Sequence, residues 1–117
     1  MISNLTAHRL LKAYQALAAD GYPGGPRAFS DLADLAHACL TGATTEQRLP
    51  AMVVQNIFDG LAQTLDPDAP RPATKPVVAP ELHAALLTAL KFVVTGGAHA
   101  RCIQVSERLI RAASRSR

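Results

Sequence analysis

The chain reads as an all-α fold of about five helices packed as one bundle. Three observations predict this. Apolar side chains recur at three- and four-residue steps, the spacing of a helix that buries one face. Glycine and proline fall mostly between those segments, as punctuation. No stretch alternates apolar and polar residues as a half-buried strand would, and Val53-Val54 and Val93-Val94 both sit within helical periods.

The first helix is expected over 4–20, with Ala7, Leu10, Leu11, Tyr14, Leu17 and Ala18 as its buried stripe. Ser3 or Asn4 can cap its start, and Gly21 can end it in the left-handed conformation that glycine tolerates. Tyr22-Pro23-Gly24-Gly25-Pro26 must be a loop, which leaves Tyr22 as the one aromatic side chain expected outside the core. The second helix, over 27–40, buries Phe29, Leu32, Leu35, Ala36, Cys39 and Leu40, and Gly42 ends it.

Thr44 and Gln47 have the spacing of a capping box at the start of the third segment, 45–65. Pro50 complicates its first turns. A proline suits the first turn of a helix, so the pattern predicts a short turn over 45–49 and a helix from Pro50 to Leu65. Val54, Ile57, Phe58, Leu61, Ala62 and Leu65 form its stripe.

Residues 66–80 hold five of the eight prolines and read as a semi-rigid, polyproline-like linker. The flanks are too small to stand alone, so 1–117 is expected to be a single helical domain. A fourth helix over 81–94, starting at Pro80 or Glu81, buries Leu82, Leu86, Ala89, Leu90 and Val93. Thr95-Gly96-Gly97 breaks it, and a fifth helix follows over 98–114. The expected architecture is a three-helix N-terminal part joined by the Pro-rich linker to a C-terminal helical hairpin.

The fifth helix carries the most informative feature, a stripe of arginines. Arg101, Arg108, Arg111 and Arg115 fall within a wedge of roughly 80° at about 100° per residue, and Arg117 follows. Cys102, Val105, Leu109, Ala112 and Ala113 project from the neighbouring side. The net charge of +3 is local: residues 1–98 hold seven basic and eight acidic side chains, and residues 99–117 hold five and one. Helix-dipole compensation accounts for Arg111, Arg115 and Arg117. It does not account for Arg101 and Arg108, which lie in the first half of the helix, nor for the absence of lysine, whose point charge would solvate equally well. Arginine's planar fork matches phosphate and carboxylate oxygens two at a time.

Other chemistry is missing from the sequence. No two of the four histidines stand at the i, i+4 spacing of a helical metal pair, and Cys39 and Cys102 are too few and too far apart for a disulfide framework. No serine lies in a nucleophile-elbow motif, and neither glycine pair has the lysine of a phosphate loop. The chain is therefore expected to be non-enzymatic, without metal or cofactor and with no evident small-molecule substrate. Met1-Ile2-Ser3-Asn4 lacks a basic leader start, and the most apolar run, 82–94, is interrupted by Lys91. That composition fits a reduced, cytoplasmic protein with no membrane partner.

Charged residues make up only 18% of the chain, so part of its apolar surface is expected to be covered by a protein partner or a second copy. The leading expectation is a binding module within a larger assembly, contacting an anionic partner through Arg101, Arg108, Arg111, Arg115 and Arg117. That partner is either a nucleic-acid backbone, DNA or RNA read with weak sequence specificity, or an acidic protein surface. The alternatives are a small regulator or inhibitor acting only by protein–protein contacts, and a self-associating structural subunit.

Overall fold

A computed structural model describes residues 3–22, 24–41, 45–64, 78–96 and 99–115. They form α1 (Ser3–Ala19), α2 (Gly25–Ala38), α3 (Thr45–Thr64), α4 (Pro80–Thr95) and α5 (His99–Arg115), with no strand among the described residues. Helices α1 to α4 close a ring, each packed against the next and α4 against α1, while α5 lies across α3 and α4. The C-terminal hairpin is thus built into the bundle, because α4 touches α1 and α3 as well as α5.

The core grows from one aromatic ring on each of α1, α2 and α3. Tyr14, Phe29 and Phe58 are fully buried, and the Phe58 centroid lies 5.6 Å from that of Tyr14 and 6.3 Å from that of Phe29. Each such ring pair adds about 0.5–1.5 kcal/mol beyond the area it buries. Leu82, Leu86, Ala89, Leu90 and Val93 of α4 complete the interior, on the stripe their spacing predicts.

Two local expectations are corrected. Helix α3 runs unbroken through Pro50, so there is no turn over 45–49. Pro50 removes the N–H that would bond the carbonyl of residue 46, a defect of about 3 kcal/mol in a free helix. Here Pro50 is buried with Ala51, Val53 and Val54, so packing of the same turns opposes that defect. Tyr22 is not outside the core either. Its ring stacks on Phe29 with centroids 5.8 Å apart, and its hydroxyl reaches Tyr14 and His83.

The end of α1 explains how Tyr22 gets there. The Tyr22 N–H donates to the Leu17 carbonyl at 2.8 Å and the Gly21 N–H to the Ala18 carbonyl at 3.2 Å, the paired bonds of a Schellman cap. Gly21 takes the expected left-handed conformation (φ 80°), and Tyr22 follows at φ 60°, where a side chain is strained by roughly 1–2 kcal/mol. The Phe29 stack and the hydroxyl contacts hold it in that conformation.

Helix α2 starts two residues earlier than expected and ends at Ala38, leaving Cys39 and Leu40 in the following turn. Helix α4 begins at Pro80 and ends where the Gly96 N–H donates to the Phe92 carbonyl at 2.7 Å. Helix α1 already includes Ser3 and Asn4, the residues expected to cap it. Their side chains, the Gly42 helix end, Thr44 of the expected capping box, linker residues 66–77 and Arg117 lie outside what is described.

Candidate anion-binding cleft between α4 and α5

Helix α5 buries Cys102, Ser106, Leu109 and Ala112, at steps of four, three and three residues, with Val105 and Ala113 half-buried beside them. Ser106 is the member that hydropathy misses. Its hydroxyl donates to the Cys102 carbonyl at 2.8 Å, so the polar group is satisfied within the helix and only a small side chain faces inward. Cys39 and Cys102 are both buried and no disulfide joins them.

Two contacts set the antiparallel register of the hairpin. At one end the Arg101 guanidinium lies over the Phe92 ring, 5.9 Å from its centroid. At the other, Arg115 Nη1 donates to Glu81 Oε1 at 2.7 Å. Between them the helices leave a cleft of about 410 Å³. Arg101, Arg108 and Arg111 of α5 line it, spaced by about 10 Å and then about 4.5 Å along the helix at a rise of 1.5 Å per residue.

The rest of the lining decides what chemistry the cleft offers. Ala85, Phe92 and Val105 supply an apolar part, and Thr88 and Gln104 supply a hydroxyl and an amide. No carboxylate is among the lining residues, and among the described residues Arg101, Arg108 and Arg111 make no salt bridge. Three exposed arginines of α5 therefore border one concavity whose described lining residues include no carboxylate, next to Ala85, Phe92 and Val105. That arrangement favours a ligand carrying both negative charge and apolar groups.

The five arginines of the sequence thus separate. Three line the cleft, Arg115 is tied to Glu81 at the far end of the hairpin, and Arg117 lies outside the described residues. Dipole compensation covers Arg111 on position alone, yet it lines the same cleft as Arg101 and Arg108. Among the described residues no three His, Cys, Asp or Glu side chains gather as metal ligands, and no helix is long and apolar enough to cross a membrane.

Compared with known protein families, curated proteins and solved structures, the chain has no significant match.

Proposed function

We propose that this chain is a non-enzymatic helical binding module whose α4–α5 cleft receives an acidic segment of a protein partner. The observation that carries the reading is that Arg101, Arg108 and Arg111 all line one partly apolar cleft with no carboxylate among its described lining residues. One feature favours a protein segment over a nucleic-acid backbone. The apolar patch of Ala85, Phe92 and Val105 suits side chains and does nothing for phosphates.

The test uses an acidic amphipathic peptide with leucine and glutamate at helical spacing, alongside single-stranded RNA and duplex DNA as competitors. Binding is followed by anisotropy for the wild type and for the triple variant Arg101→Glu, Arg108→Glu, Arg111→Glu. Peptide binding that resists RNA and is lost in the variant supports the proposal. Preferential nucleic-acid binding that falls steeply with salt assigns the cleft to phosphates instead.

Self-association is a second reading, resting on Leu49 and Met52, one turn apart on α3, and Ile110 on α5, which are 38%, 46% and 50% exposed. Light scattering after size exclusion decides it.

A further inference from the structure

A second concavity lies on another side of α4, about 140° around the helix from the arginine cleft. It holds about 460 Å³, within the range of small-molecule sites. Ala18 and Ala19 of α1, Val78 and Leu87 give it apolar walls, and Gln15, Tyr22 and His83 are its polar groups. Among the described residues, no acidic or permanently charged side chain lines it.

Behind the wall sits a closed triangle of hydrogen-bonding atoms. The buried Tyr14 hydroxyl is 2.7 Å from His83 Nδ1 and 3.1 Å from the Tyr22 hydroxyl, and the Tyr22 hydroxyl is 3.3 Å from His83 Nδ1. The His83 ring also packs on the Tyr14 ring, with centroids 5.5 Å apart. The His83 ring is half-buried and lines the pocket, with Nδ1 turned toward the buried Tyr14 hydroxyl.

Counting protons around the triangle shows what it can present. With a neutral imidazole protonated at Nε2, Tyr14 donates to Nδ1 and Tyr22 donates to Tyr14, so the triangle is self-contained and Nε2–H is the donor left over. With an imidazolium, Nδ1–H donates to Tyr14 and Tyr14 donates to Tyr22. Nδ1 can then accept nothing, and the Tyr22 O–H must turn outward. The protonated cluster therefore offers two donors side by side, Nε2–H and the Tyr22 hydroxyl, with a positive charge behind them.

We propose that this pocket binds a small monocarboxylate with an apolar body, its two oxygens held by His83 Nε2–H and the Tyr22 hydroxyl. A carboxylate uses both donors and neutralises the imidazolium, while the apolar walls take the rest of the molecule. Among the described residues, the ionisable groups facing His83 are Tyr14 from α1 and Tyr22 from the α1–α2 turn, and Glu81 on its own helix is engaged with Arg115. Binding accordingly uses the imidazolium form of the cluster.

The chain contains its own reporter. It has two tyrosines and no tryptophan, and both tyrosines belong to the triangle. Octanoate is titrated while tyrosine fluorescence is followed, with 1-octanol as the matched uncharged probe. Calorimetry measures the two affinities independently of the fluorescence. Octanoate is expected to saturate the signal and to bind at least about tenfold more tightly than 1-octanol, the difference of one charge-assisted hydrogen bond.

Ala19→Phe fills the pocket from an exposed position of α1 without touching the triangle, and should abolish the response. Tyr22→Phe keeps the Tyr14–His83 bond and should weaken octanoate severalfold while leaving 1-octanol unchanged. The triple arginine reversal should leave octanoate binding intact. Equal affinity for 1-octanol, an unaffected Ala19→Phe variant, loss of binding in the arginine reversal, or no saturable change would each overturn the proposal.

Discussion

Arg115 Nη1 sits 2.7 Å from Glu81 Oε1, and this contact marks where the arginine stripe of α5 stops facing the cleft. The two side chains come from the start of α4 and the end of α5, 34 residues apart in sequence, and meet at the open end of the antiparallel hairpin. The pair closes the end of the hairpin, and it leaves Arg101, Arg108 and Arg111 as the side chains that offer charge to the cleft.

Removing the Glu81 carboxylate separates structure from binding at this pair. Both side chains are more than half exposed (69% and 56%), and such pairs contribute about 0–1 kcal/mol. Glu81→Gln should leave the urea midpoint nearly unchanged. It should strengthen binding of an acidic peptide by releasing a fourth arginine, as measured by anisotropy at low salt.

The aromatic core should respond much more strongly. Phe58 is fully buried between the Tyr14 and Phe29 rings, so Phe58→Ala should destabilise the fold by about 3–5 kcal/mol in urea unfolding. A loss below about 1 kcal/mol would mean that the rings are not the centre of the core.

Two glycines isolate backbone strain from crowding. A Cβ at Gly21 meets nothing within 4 Å, and one at Gly96 meets only the Gln47 side chain at 3.8 Å. Gly21 has φ 80° in a left-handed helix cap, whereas Gly96 has φ 70° and ψ −167°, a region reserved for glycine. Gly96→Ala should therefore cost more than Gly21→Ala, by about 1–2 kcal/mol, in chemical unfolding.

Alkaline conditions should loosen the bundle. Burial pushes the Cys39 thiol up from 9.0 to about 11, and burial followed by the Tyr22 hydroxyl raises Tyr14 as well. The folded state then holds protons that the unfolded chain releases, so stability falls as pH rises above about 9. Between 9.0 and about 11, Cys39 alone contributes a slope of up to about 1.4 kcal/mol per pH unit. Cys39→Ala should flatten that part of the profile in urea midpoints measured across the range.

How far the sequence reveals this molecule depends on how local each signal is. Helix positions and buried stripes are repeated over many residues, so Leu82, Leu86, Ala89, Leu90 and Val93 could be placed from spacing alone. Pro50 was misleading because its local penalty is visible in the sequence, while the burial that offsets it comes from other helices. Tyr22 looks like a loop residue until His83, 61 residues away, reaches its hydroxyl. The arginines of the site are legible as a stripe. Their division into three cleft residues and one paired to Glu81 required the fold, because a carboxylate 34 residues upstream leaves no local trace.

The most direct measurement is an amide chemical-shift map of the chain titrated with the acidic amphipathic peptide. The largest shifts should cluster on Thr88, Phe92, Gln104 and Val105 and on the amides of Arg101, Arg108 and Arg111, with α1 and α2 silent. Shifts centred on Arg9, Arg27 or Arg48, or spread evenly over every basic residue, would contradict an anion-binding cleft between α4 and α5.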